Sequence, residues 1–132
     1  MKYLLDTHIL LWVIMTPKII SPKLFKILAD TDNEIYISAV SFWEISLKFS
    51  LGKLELKNTS PEELINSAEK MGFRIIDLHA DDAATLYKLE TWHHRDPFDR
   101  ILIWQAIQNK FTLISNDKFV KKYVSAGLRI YF

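Results

Sequence analysis

Four carboxylates in this 132-residue chain stand where a solvated acid is out of place. Asp6 interrupts the apolar run Tyr3-Leu4-Leu5-Asp6-Thr7-His8-Ile9-Leu10-Leu11-Trp12, and a buried carboxylate is costly unless something pairs with it. Glu44 has Phe42, Trp43, Ile45 and Leu47 as neighbours, and helical spacing adds Val40 and Leu51 to its face. Asp99 points in the direction of the stripe Leu102, Ile103, Ala106 and Ile107 at about 100° per residue. It also falls in the first turn of a helix, where backbone amides favour negative charge. Asp117 lies just past the apolar run Phe111–Ser115. Plainer readings stay open beside these: Asp6 suits the cap of a following helix, and Glu44 suits an i,i+4 pair with Lys48, worth roughly 0.2–0.5 kcal/mol. Asp96, directly before Pro97, reads first as a cap that lies near the site.

If Asp6, Glu44, Asp99 and Asp117 converge, four negative charges share one pocket. Like charges at that range raise one another's pKa or demand a counterion. An all-oxygen donor set selects a hard dication, Mg²⁺ or Mn²⁺, over zinc. Such an ion orients a phosphate and stabilises charge on a leaving oxygen. The reaction class that needs this, with no Ser or Cys nucleophile, is phosphodiester hydrolysis. No G-x-x-x-x-G-K or G-x-G-x-x-G is present, so a glycine loop for nucleotides is unsupported.

The elements that must position these acids follow from alternation of short apolar runs with longer amphipathic ones, the pattern of an α/β chain with a mainly parallel sheet. Strands are expected at Lys2–Asp6, Glu34–Ser38, Phe73–Asp77, Phe111–Ser115 and Leu128–Phe132. Ser21-Pro22, Ser60-Pro61 and Asp96-Pro97 each set a capping side chain before a proline at the first helical position. Further helices are expected over Ala39–Ser50 and from Asp81 to about Glu90, with Gly72 as a C-terminal stop. Asp6 and Asp117 then both follow strands, and ligands of open α/β sheets bind outside the carboxyl ends of strands. Asp77 also ends a strand and reads as a cap or turn residue. The other acids, Asp82 among them, read as solvated faces.

The chain length is that of one domain, residues 1–132. With no cysteine there are no zinc fingers, thiol nucleophiles or disulfides, which fits a reducing, cytoplasmic compartment. No apolar stretch approaches the ~18 residues of a membrane span, and the N-terminal window with its single Lys2 is not a signal peptide. The net charge of +1 is far from that of a protein that holds nucleic acid by charge alone, so affinity for nucleic acid would need a local site, a metal or an oligomer.

Leu4-Leu5-Asp6-Thr7-His8, Ser41-Phe42-Trp43-Glu44-Ile45 with Lys48 and Leu51-Gly52-Lys53-Leu54, His94-Arg95-Asp96-Pro97-Phe98-Asp99-Arg100, and Ser115-Asn116-Asp117 together resemble a PIN-domain ribonuclease. The likeness is to VapC-type toxins of prokaryotic type II toxin–antitoxin pairs. It covers nearly the whole chain, and the order of the four motifs is more specific than any one of them. The resemblance implies a three-layer α/β/α sandwich with about five strands, and a metal site of Asp6, Glu44, Asp99 and Asp117. It also implies Mg²⁺- or Mn²⁺-dependent cleavage of RNA, a homodimer, and a cognate antitoxin whose tail blocks the groove. Trp104 is a departure, since the family's helix usually carries a small residue there.

Around the acids, Thr7 and Ser115 are placed to hydrogen-bond a ligand carboxylate or a phosphate, or simply to cap helices. Lys48 and Arg100 are candidates for RNA phosphate, with surface solvation as the plainer role of each. His93-His94, adjacent histidines without a second ligand pair, read as surface residues. Trp12, Trp43, Trp92 and Trp104 read as core or dimer contacts before base-stacking platforms. Two other functions fit the same residues: a PIN-type RNA-processing nuclease that is not a toxin, and an inactive PIN-like module that binds RNA or protein.

Overall fold

Side chains of the central strands alternate between two separate cores, and that alternation fixes the layers. In the computed structural model, which describes residues 1–90 and 96–131, β1 (Lys2–Leu5) sends Leu4 to one core and Tyr3 and Leu5 to the other. β2 (Glu34–Ser38) and β4 (Thr112–Ile114) divide in the same way, with Tyr36 and Leu113 on the Leu4 side and Ile35, Ile37 and Ile114 opposite. A strand buried on both faces has no polar register to mark it in sequence, only a short apolar run.

β3 (Arg74–Ile76) and β5 (Arg129–Tyr131) complete a five-stranded sheet of order β3-β2-β1-β4-β5. All four ladders are parallel, with Leu4 beside Tyr36 on one side and Leu113 on the other. The chain runs outward from β1 through β2 to β3, then returns to the far side of β1 with β4. Order therefore reverses between β1 and β4, where the ends of those strands leave a crevice.

One face carries α1 (Thr7–Met15), α2 (Pro22–Ala29) and α4 (Pro61–Lys70), whose Ile9, Leu10, Leu24, Leu64 and Ala68 meet Leu5 and Ile37. The other carries α5 (Ala80–Thr85), α6 (Pro97–Asn109) and a 3₁₀ segment over Val120–Ala126. There Leu102, Ile103 and Tyr123 pack beneath Leu4 and Leu113. α3 (Ala39–Ser50) lends Val40 to this core and Ile45 to the opposite one. The architecture is the expected three-layer α/β/α sandwich. Each fully buried Leu or Ile contributes about 1.5–3 kcal/mol, against roughly 0–1 kcal/mol for an exposed pair such as Arg74–Glu34, so these two cores hold the sheet.

The predicted caps form. Ser21, Ser60 and Asp96 accept the amides of Leu24, Glu63, and Phe98 with Asp99, at 3.1, 3.3, 2.9 and 3.1 Å respectively. Gly72 stands just past α4 at φ 86°, a left-handed value that costs glycine no Cβ clash. Strand ends are shorter than expected by one residue or so, except β2, which matches. The expected helix over 81–90 is α5 followed by a 3₁₀ turn at Leu86–Lys88. Trp92, His93, His94, Arg95 and the last residue of the expected fifth strand, Phe132, lie outside the described residues. Among the described residues, no helix is long and apolar enough to cross a membrane.

Candidate active site

At the crevice between β1 and β4, Asp6 begins α1 and is 4% exposed. Both of its oxygens have partners: the His8 amide donates to Oδ1 at 2.7 Å, and the Ser115 hydroxyl donates to Oδ2 at 2.7 Å. The capping reading is thus realised with one oxygen, while the other binds Ser115 at the end of β4. Burial pushes the Asp6 carboxyl above its ordinary pKa, although the Ser115 and His8 hydrogen bonds pull the other way. The Asp117 amide donates to Ser115 Oγ at 3.1 Å, and Asp117 Oδ1 accepts the Phe119 amide at 2.9 Å. Ser115 is therefore a coupling between Asp6 and the turn that carries Asp117.

Glu44 comes from α3 and is 2% exposed. Lys48 Nζ donates to Oε2 at 2.5 Å, but Oε1 is buried and has no hydrogen-bond partner among the described residues. The i,i+4 reading thus explains half of this carboxylate. α3 is fixed against α1 by the Thr7 hydroxyl, which donates to Ser41 Oγ at 2.9 Å, both residues being buried. Ser41 was not among the expected site residues. Its signal is its place one turn before Glu44, on the same helical face.

Asp99 sits half-buried in the first turn of α6. Its pKa is pushed up to about 7, first by burial and then by the charges of Asp96, Asp6, Glu44 and Asp117. Asp96 is an exposed cap, as predicted. Lys48 is held above the ordinary lysine range: burial lowers its pKa, but the hydrogen bond and charge of Glu44, then Asp96 and Asp99, outweigh it.

Among the described residues, no three acids or histidines are gathered tightly enough to make a ready ligand cage. The donor set nonetheless fits a magnesium-like ion, which keeps several waters and takes one or two carboxylates directly. Glu44 Oε1, buried without a partner among the described residues, is the oxygen that such an ion would satisfy. Asp6, Glu44, Asp99 and Asp117 are the residues that would hold it.

Three expectations are corrected. Arg100, read as a surface residue or an RNA-phosphate contact, is 7% exposed. Its guanidinium donates to the carbonyls of Leu89 and Glu90 at 2.9 and 2.8 Å and to Tyr123 Oη at 3.3 Å. Asp82, read as solvated, is buried and accepts from Asn109 Nδ2 at 3.4 Å. α6 has no polar face between Arg100 and Ala106, all of which are buried, so its periodicity is weaker than the stripe through Leu102 and Ile103 implied. Trp104 fits by standing under α5, donating Nε1–H to Thr85 Oγ1 at 3.0 Å.

The PIN domain family model matches residues 3–124. Among solved structures, the chain is similar to one in VapBC2 from Rickettsia felis bound to a promoter DNA fragment, at 22% identity and TM-score 0.72, covering 99% of this chain and 98% of that one. It is similar to one in VapBC-1 from nontypeable Haemophilus influenzae at 17% identity and TM-score 0.66, covering 99% and 97%. A third likeness is to FitAcB from Neisseria gonorrhoeae, at 20% identity and TM-score 0.63, covering 98% and 96%. No curated protein matches the sequence. At these identities the structural likeness carries the fold.

Proposed function

This chain belongs to the PIN-domain family, and on that premise we propose that it is an Mg²⁺- or Mn²⁺-dependent endoribonuclease acting as the toxin of a type II toxin–antitoxin pair. The observation that carries the reading is the half-satisfied Glu44, a buried carboxylate whose Oε1 has no partner among the described residues, while the charges of Asp6, Glu44 and Asp117 all act on Asp99. A module with no ion to bind gains nothing from such a group, which costs about 1–3 kcal/mol or more when left unmade. The antitoxin partner is inferred from the VapBC and FitAB complexes that share the fold, and the single domain and the homodimer remain part of the same proposal.

The chain's own residues divide the work. Ser115 and the His8 amide hold Asp6 in one orientation. Thr7 and Ser41 fix α3 so that Glu44 faces the crevice. Asp99, with its pKa raised to about 7, would give up its proton to hold a cation. Lys48, paired with Glu44, is a candidate contact for an RNA phosphate once that pairing is released. When bound, the dication supplies charge neutralisation and Lewis-acid polarisation at the scissile phosphodiester.

The test is incubation of the purified chain with RNA in Mg²⁺, Mn²⁺ or EDTA, with Asp6→Asn as control. Ion-dependent cleavage, lost in the variant and inhibited by the product of a small neighbouring gene, is expected. Cleavage undiminished in EDTA would sink the metal assignment. Cleavage that no such gene product inhibits would leave an RNA-processing nuclease in place of a toxin.

A further inference from the structure

The acidic crevice already contains a cation of the protein's own. Lys48 donates to Glu44 Oε2 from a side chain that is 37% exposed, while the Glu44 side chain is 3% exposed. An ordinary i,i+4 pair on a helix surface satisfies both partners in solvent. Here the glutamate is buried, and its second oxygen has no hydrogen-bond partner among the described residues. Among the described residues, Lys48 is the cation that contacts this carboxylate, and the charges of Asp96 and Asp99 act on it as well.

We propose that Lys48 is a positioning residue that acts as the resident counterion of this crevice, holding Glu44 in place until a dication arrives and competing with the dication for it. The proposal rests on the reading of the acids as a dication site. Its physical basis is that both cations seek the same carboxylate, and a buried carboxylate left without any cation is strongly disfavoured. Lysine suits the role. Its charge is compact and carried on a flexible four-carbon stem, whereas the planar guanidinium of arginine locks a carboxylate through two parallel bonds. The pair itself lines a cleft of about 240 Å³ together with Thr7, His8, Leu11 and Lys53, so an ammonium released from Glu44 would have open space within reach.

The experiment is a calorimetric Mn²⁺ titration of the full chain as wild type, Lys48→Met and Lys48→Arg, with thermal unfolding of each in EDTA. Lys48→Met is expected to bind Mn²⁺ about tenfold tighter or more, the equivalent of ~1.4 kcal/mol, and to melt lower than wild type without metal. Lys48→Arg is expected to melt like wild type and bind Mn²⁺ no tighter. Adding Glu44→Gln to Lys48→Met is expected to recover the melting temperature, which shows that the loss came from an unpaired charge. A purely structural pair would move the melting temperature and leave metal affinity alone. Wild-type binding with an unchanged or weaker affinity in Lys48→Met overturns this proposal and leaves the dication reading standing. No Mn²⁺ binding in any folded variant overturns the dication reading and the competition with it.

Discussion

Trp43 meets Phe98 edge to face, with ring centroids 4.9 Å apart and planes at 79°. Each ring is the chain neighbour of an acid of the proposed site, Glu44 on α3 and Asp99 on α6, so the contact ties together the two helices that carry them. Trp43 is 60% exposed, so its removal leaves the core intact. Trp43→Ala is expected to cost about 0.5–1.5 kcal/mol for the aromatic pair and to reduce RNA cleavage by a larger factor than stability. Parallel melting and cleavage measurements check this, and full activity in the variant would show that the rings do not set the geometry.

Asp6→Asn and Asp99→Asn are each expected to lose most cleavage while the metal-free protein stays folded or gains stability, because one of several like charges is removed. Asp96→Asn is expected to be mild, since asparagine also caps a helix. Single-turnover cleavage with melting in EDTA distinguishes these outcomes. Unchanged cleavage in either of the first two variants would count against the assignment of the acids.

Ser115→Ala removes the donor to Asp6 Oδ2 and the acceptor of the Asp117 amide at once. Leaving those buried groups unmet is expected to cost about 1–3 kcal/mol. Mn²⁺ affinity is expected to fall roughly 10–100-fold, the usual effect of losing a group that orients a ligand. Thermal unfolding reads the first, and titration calorimetry on the folded variant reads the second.

Asp99 gives the metal-free protein a specific pH dependence. Its carboxyl titrates near 3.8 when unfolded and about 7 when folded, so between those values the folded state binds the extra proton. Its contribution to stability is present in full below about pH 4 and is lost as the pH rises through 7. Asp6, also shifted upward, adds to the same trend. In EDTA the wild type is therefore expected to melt higher at pH 5 than at pH 8, with the difference reduced in Asp99→Asn. Because proton and dication compete for the same oxygens, Mn²⁺ affinity is expected to rise over the same interval. A wild-type difference that persists in full in Asp99→Asn would assign the trend elsewhere.

Arg100→Met is expected to destabilise the fold by about 3 kcal/mol or more, because a buried guanidinium that closes two carbonyls is removed. The salt dependence of RNA binding by the folded protein should not change, in contrast to Lys53→Met at the mouth of the cleft. A reduced salt slope in Arg100→Met would restore Arg100 as a phosphate contact.

Sequence signals were strongest where the cause is local. Ser60, Ser21 and Asp96 announce their helices because the capping side chain and the amide it accepts are two or three residues apart. Glu44 and Asp6 were conspicuous because a charge in an apolar run conflicts with its own neighbourhood. What could not be read was any partner far along the chain. The bond from Ser38 to Gln105, 2.6 Å long and fully buried, joins β2 to α6, and nothing near either residue indicates the other. Arg100 was misread for the same reason: arginine is solvated by default, and its carbonyl and hydroxyl partners become visible only when α6 is seated. Asp82 was hidden similarly, since a short helix carrying two adjacent acids shows no sign of which one turns inward.

The borders of the sheet have a consequence of their own. β3 and β5 are three residues long, and each opens with an exposed arginine, Arg74 or Arg129. Brevity and charge give an incoming strand little ladder to extend. Growth of this sheet by edge-to-edge pairing is thereby discouraged.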